Sequence, residues 1–247
     1  MPVVSESKYL VTAGWKDVPH IPKAMQTKLL ASYPPHLRKA RTEGIPSLGV
    51  GAIYPIEPEA FTVAPFLIPK HWRKSYGLDV GWNRTAAIWS AHDLDSDTVY
   101  LYSEHYRGQV EPSVHAAAIR ARGDWIPGVI DPAANGRSQI DGQRMYELYR
   151  GLGLHLTLAD NSVEAGIYAV WERLSTGRMK VFSTMSNWFS EYQDYHRDDN
   201  GKIAKEDDHA MDATRYDIVS GLRVAICQPV KQITSGARVV ADGIGGY

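Results

Sequence analysis

A single cysteine, Cys227, is the only thiol in this 247-residue chain. That excludes an internal disulfide and any zinc site built on several cysteines. The nine histidines are scattered, with no H-E-x-x-H pair to hold zinc from one helix face. No apolar run approaches the ~18–20 residues needed to span a bilayer. The N-terminal Met-Pro-Val-Val-Ser-Glu-Ser-Lys-Tyr lacks the basic start, apolar core and small-residue cleavage site of a signal peptide. A cytoplasmic protein without a membrane partner is therefore expected. No G-x-x-x-x-G-K-[S/T] loop is present, so ATP-driven work cannot be assigned to these residues. Neither charge is in surplus, at 27 basic against 28 acidic residues, and phosphate contacts normally demand a cationic excess. Wholesale disorder is excluded by a 44% hydrophobic content.

Proline is abundant at one end, with ten of the 14 prolines lying in residues 1–70. That density forbids long helices and central strands. An arm or linker is expected there, with one short helix around 22–32 and a compact domain beginning near Trp72. Downstream, 75–81, 85–92 and 98–106 read as three strands, the last two joined by the polar turn D-L-D-S-D. Short connections make them an antiparallel meander. Strand–helix alternation follows. A helix spans 111–122, a strand 127–131, and a helix capped by Ser138 runs to about Arg150. A strand at 154–159 precedes a helix at 163–175, whose Ile167, Val170, Trp171 and Leu174 fall on one face. The strand M-K-V-F and a helix at 184–194 come next. D-D-N-G at 198–201 signals a hairpin turn, and an acidic helix occupies 206–222.

Three carboxylate sites stand at the ends of these elements. Asp79 closes the first strand between Leu78 and Val80. A buried carboxylate without partners is costly, so a specific reason for it is expected. Gly77 and Gly81 bracket it as they would a turn, which makes loop capping the competing reading. Asp131 ends the fourth strand; Pro132 favours extended geometry there, while Asp-Pro also simply starts turns. Asp207 and Asp208 begin the acidic helix, where acids favourably oppose the helix dipole. Against plain capping stands crowding, since Glu206, Asp207, Asp208 and Asp212 occupy seven positions with thin basic relief. Asp208 and Asp212 share a helix face, and Asp212 has Arg215 as an alternative structural partner. One carboxylate from each of strand, strand and helix is a pocket suited to hard divalent cations. Two such ions can drive phosphodiester hydrolysis. Arg84, Lys205 and His209 are candidates for DNA phosphate contacts, with solvated surface roles as the alternative. Trp188, Tyr192, Tyr195 and Tyr149 read as core.

The segments Y-G-L-D-V-G-W-N, V-I-D-P-A-A-N and Y-H-R-D-D-N-G-K-I-A-K-E-D-D-H-A-M-D-A-T-R-Y resemble the nuclease domain of the large terminase subunit of tailed bacteriophages. Upstream, A-G-W-K-D-V-P-H and Y-P-P-H-L-R-K-A-R-T-E-G-I-P-S-L-G-V-G-A-I-Y-P look like the passage from the packaging ATPase into that nuclease. The resemblance implies a ribonuclease H-like α/β fold, with a mixed sheet flanked by helices. It implies an endonuclease cutting concatemeric double-stranded viral DNA in the host cytoplasm, as a phage or prophage protein. Asp79 would bridge two Mg²⁺ or Mn²⁺ ions, and Asp131 and Asp208 would each hold one. Asp207 is a possible alternate ligand and Asp212 a weaker one. Residues 1–70 would then follow an absent ATPase domain, 71–228 would form the nuclease and 229–247 a tail. The ATPase domain, the small terminase subunit and the portal are the implied partners.

Competing classes remain open at this point. D-V-G-W-N-R-T also resembles the phosphate hairpin of actin-like ATPases and sugar kinases, but no second Gly-rich phosphate loop follows Asp131. Resolvases and transposases share the metal chemistry. A non-catalytic docking module of a packaging motor would keep the acids for structure alone.

Overall fold

In the computed structural model the chain is described at residues 3–5, 8–9, 14–17, 21–32, 42, 51–136, 144–197, 202–204 and 207–229. Two short strands, β1 (Val3–Ser5) and β2 (Lys8–Tyr9), pair antiparallel, and α1 (Lys23–Ser32) follows within the Pro-rich region, at the expected place. A mixed seven-stranded sheet organises the rest. Its members are β3 (Thr62–Val63), β4 (Arg73–Asp79), β5 (Thr85–Asp93), β6 (Thr98–Arg107), β7 (Gly128–Ile130), β8 (Leu156–Leu158) and β9 (Met179–Phe182). The strand order is β3-β9-β6-β5-β4-β7-β8. The β4–β5–β6 meander is antiparallel, whereas β7, β8, β9 and β3 all pair parallel.

Alternation along the central strands sorts side chains onto two faces. Tyr76, Leu78, Ala87 and Trp89 pack beneath α2 (Pro112–Arg120) and α3 (Met145–Gly151) with Ala116, Ile119 and Tyr149. Ala86, Ile88, Val99 and Leu101 face α4 (Val163–Ser175), α5 (Ser186–Asp194) and α6 (His209–Tyr216). Trp188 and Tyr192 stack at 5.0 Å in this second core. With Tyr195 and Tyr149 they are buried, as the sequence suggested.

Three expectations need amendment. Ile53, Tyr54 and Phe61 are buried in the core, and β3 pairs with β9, so packing extends upstream of Trp72. The helix expected from Ser138 begins at Met145 with Arg144 at its N-cap, and Ser138 lies outside the described residues. The acidic helix starts at His209 rather than 206, because Asp207 adopts φ +52°, a left-handed conformation that no helix continues. It runs on through a π-helical turn (Asp217–Gly221) into α7 (Leu222–Val224). The D-D-N-G turn and Lys205 also lie outside the described residues, although Arg197 and Ile203, on either side of the turn, form an antiparallel bridge.

Candidate active site

Asp79 and Asp131 meet because β4 and β7 are parallel neighbours. Leu78 pairs with Ile130, so the residue following each stands at the same carboxyl edge. The Asp131 amide donates to the carbonyl of Leu78 at 3.3 Å. Its side chain caps a 3-10 turn by accepting the Ala133 amide at 3.0 Å. Asp131 thus combines the turn role with a place beside Asp79.

Helix α6 reaches the same edge through Gly77. A Cβ at Gly77 would stand 1.8 Å from the carbonyl oxygen of Ala213, so only glycine lets the helix lie on β4 at this depth. That approach carries His209 and Asp212 over Asp79. His209 Nδ1 and Asp79 Oδ2 are 2.7 Å apart. The carboxylate holds His209 above its ordinary value by accepting this bond. Asp79 is itself raised, first by burial and then by repulsion from Asp212 and Asp131, against the pull of His209. Asp212 is raised by burial, with Asp208 and Asp131 adding to the shift and Arg215 opposing it. Arg215 donates to Asp212 Oδ1 at 2.9 Å, the pairing raised above as the structural alternative.

Asp79, Asp131 and Asp212 therefore share one electrostatic neighbourhood. Asp208 stands one turn before Asp212 and acts on it and on His209. Asp208 occupies the N-cap position of α6 but makes no side-chain cap bond there. The cap comes instead from Glu191 on α5, which the sequence reading missed. Its carboxylate accepts the amides of Ala210 at 2.5 Å and Met211 at 3.3 Å, and the Tyr106 hydroxyl at 2.5 Å. Burial pushes Glu191 up to about 7 against these three donors. A signal was available, since Glu191 is an acid on the apolar face that carries Trp188, Tyr192 and Tyr195.

Asp207 points elsewhere. It lines a cavity of about 210 Å³ with Arg84, Tyr106, Asn187, Glu191 and Asp194. Arg84 lies over the Tyr106 ring, 4.6 Å from its centroid. A wider depression of about 780 Å³ lies at the opposite end of the sheet, where Trp125 and His155 precede β7 and β8.

The donor set fits a hard divalent cation in chemistry: carboxylate oxygens that repel one another, with His209 and Arg215 as their cationic neighbours. Among the described residues, no three His, Cys, Asp or Glu side chains are gathered closely enough to hold an ion between them.

Comparison with known proteins bears on this arrangement directly. Residues 76–220 match the family described as the Terminase RNaseH-like domain, a span that includes every candidate acid. The chain belongs to that family. It is 34% identical over 230 residues to the terminase large subunit of Enterobacteria phage LP7, covering 89% of this chain and 48% of that protein. Identity to the Salmonella phage P22 counterpart is also 34%, over 86% of this chain and 44% of that one. The chain thus spans about half the length of these relatives. The solved nuclease domain of the P22 large terminase superposes with a TM-score of 0.67 at 30% identity, covering 73% of this chain and 97% of that one. The mixed sheet with helices on both faces is the ribonuclease H-like fold of this terminase family. Among the described residues no helix is long and apolar enough to cross a membrane.

Proposed function

We propose that this chain is a divalent-metal-dependent endonuclease that cuts concatemeric double-stranded viral DNA during genome packaging. The observation that carries the proposal is the convergence of Asp79 and Asp131 from adjacent parallel strands with the start of α6 laid over the same edge. Similarity to the P22 nuclease domain supports it.

In this reading Asp79 and Asp131, with an acid from the start of α6, would hold the divalent ions, Mg²⁺ or Mn²⁺. The third acid is Asp208, at the N-cap of α6, or Asp212 within it, which repel one another and stand beside Asp79 and Asp131. When bound, such ions supply an activated water and stabilise the leaving 3′-oxygen. The chain's own residues prepare the place. Burial and Gly77 fix the edge, and Glu191 anchors α6 without drawing on Asp208. His209, 2.7 Å from Asp79 Oδ2, opposes the rise that burial imposes on that carboxyl. Arg84 and His209 would contact the DNA backbone in this reading, and so would Lys205, which lies outside the described residues. The ATPase domain, the small terminase subunit and the portal are the partners, and the host cytoplasm is the place of work. Residues 1–70 would lead from the ATPase into the nuclease, their last part (Ile53, Tyr54, Phe61 and β3) being already packed in its core.

Supercoiled-plasmid cleavage with Mg²⁺, Mn²⁺ or EDTA tests the reading, for the wild type and for Asp79→Asn, Asp208→Asn and Asp212→Asn. Nicking and linearisation that need the metal and vanish in Asp79→Asn are expected. Cleavage that persists in EDTA or in Asp79→Asn overturns the reading. The two α6 variants identify the third ligand.

A further inference from the structure

The turn between β4 and β5 lies immediately beyond Asp79 and presents Trp82 with 67% of its surface exposed. Singly exposed apolar residues are normal, so exposure alone decides nothing. Two further features give it meaning.

The turn is rigid without being buried. The Gln109 amide donates to the carbonyl of Trp82 at 2.8 Å, and the Thr85 hydroxyl donates to that of Gly81 at 3.1 Å. A Cβ at Gly108 would come within 1.8 Å of the Asn83 carbonyl oxygen, so the neighbouring loop is locked against the turn. Gln109 holds φ +56° to make that contact. These bonds hold the backbone that carries Trp82, so only the two torsions of the indole side chain are left to be ordered on contact.

Cations border the same edge of the sheet. Arg84 is two residues from Trp82, and its Nε is buried without a hydrogen-bond partner among the described residues. Arg107 ends β6 opposite Thr85 and is exposed. An exposed apolar ring on a turn next to Asp79, with Arg84 on the same turn and Arg107 at the adjoining strand end, complements a nucleic-acid strand. The ring matches the apolar face of a deoxyribose at a groove edge, and the guanidinium groups match phosphates. A net charge of −1 makes such an apolar anchor valuable, because it contributes affinity that salt does not erode.

We propose that Trp82 is a DNA-contacting residue. Its ring packs against the deoxyribose of the strand whose phosphate is presented to Asp79 and Asp131, while Arg84 and Arg107 take nearby phosphates. The identity of that strand rests on the nuclease reading.

Fluorescence anisotropy of a labelled duplex, in EDTA and over a range of salt, tests this on the full chain carrying Trp82→Ala, Trp82→Phe or Arg84→Gln. Trp82→Ala should weaken binding on the order of tenfold, as truncation of a buried aromatic anchor in an interface does, with an unchanged melting temperature. The slope of log affinity against log salt should stay at its wild-type value, and Trp82→Phe should recover most of the loss. Arg84→Gln should instead flatten the slope. Trp82→Ala binding within twofold of wild type, or a wild type that binds no duplex, overturns the proposal. Plasmid cleavage separates the two readings. A wild type that cleaves, with the same KM in Trp82→Ala, overturns the role of Trp82 and leaves the nuclease. Binding that depends on Trp82 without metal-dependent cleavage upholds the contact and removes the nuclease.

Discussion

Glu191 caps a helix it does not belong to. Its carboxylate on α5 accepts the Ala210 amide at 2.5 Å, so the first turn of α6 is held from across the core. Asp208, the residue placed by sequence to do this, makes no cap bond. Capping normally falls to a Ser, Thr, Asp or Asn at the N-cap itself. Moving it to a neighbour ties the position of His209, Asp208 and Asp212 to the aromatic core around Trp188 rather than to the local chain.

Glu191→Ala should therefore lower stability by about 2–4 kcal/mol, because it leaves two buried amides and the Tyr106 hydroxyl without their acceptor. Glu191→Gln keeps one acceptor and should cost less than half as much. Urea unfolding measures both. Equal losses in the two variants would assign the effect to packing instead of capping.

Asp131→Asn should stabilise the metal-free protein while abolishing cleavage. Asp131 raises both Asp79 and Asp212 by repulsion, and asparagine removes that charge while keeping the oxygen that accepts the Ala133 amide. A gain of about 1 kcal/mol in EDTA is expected, as for a site where function holds like charges together. Mg²⁺ or Mn²⁺ should then raise the melting temperature of the wild type and leave Asp131→Asn unmoved. A variant that melts below the wild type in EDTA would show that the carboxylates do not strain the fold.

Gly77→Ala probes the approach of α6. The added methyl would stand 1.8 Å from a backbone oxygen, and the helix cannot yield by rotating a side chain. A loss of more than about 3 kcal/mol is expected, together with loss of cleavage. Calorimetry with a plasmid assay at low temperature checks it. Full activity with a near-normal melting temperature would mean that α6 can sit further from β4 and still work.

The sequence made parts of this site readable and hid others for identifiable reasons. Strands β4, β5 and β6 could be read from their apolar runs and from the D-L-D-S-D turn, since both are local. Asp79 and Asp131 could be placed at strand ends for the same reason, but their meeting depended on β4 and β7 being neighbours, which is long-range. Strand β3 is two residues long and carries no period of its own; only its parallel pairing with β9 creates it. The start of α6 was misjudged by three residues because acids favour helix N-termini in general, whereas Asp207 takes a left-handed conformation here. The Glu191 cap links residues 19 apart in sequence, beyond the reach of any capping pattern. Asp212 was ranked below Asp208 on account of Arg215. That pair is present, and Asp212 also shares a field with Asp79, Asp131 and Asp208.

Asp217 offers a test of the core behind the site. It is fully buried in the π-helical turn and accepts the Ser75 hydroxyl at 2.7 Å, while its second oxygen has no hydrogen-bond partner among the described residues. Burial raises it from 3.8 to about 6. The folded state therefore holds this proton more tightly than the unfolded chain does. By linkage its contribution is complete below pH 3.8 and is lost as pH rises through about 6, so this group alone makes the protein less stable towards neutral pH. The shift corresponds to about 3 kcal/mol. Asp217→Asn retains an acceptor for Ser75 and carries no charge. It should raise stability at pH 7.5 by a similar amount and leave it nearly unchanged at pH 4. Urea unfolding of both proteins at the two values measures the difference. An equal gain at both would point to packing, and no gain at pH 7.5 would mean that the buried carboxylate is ionised without cost.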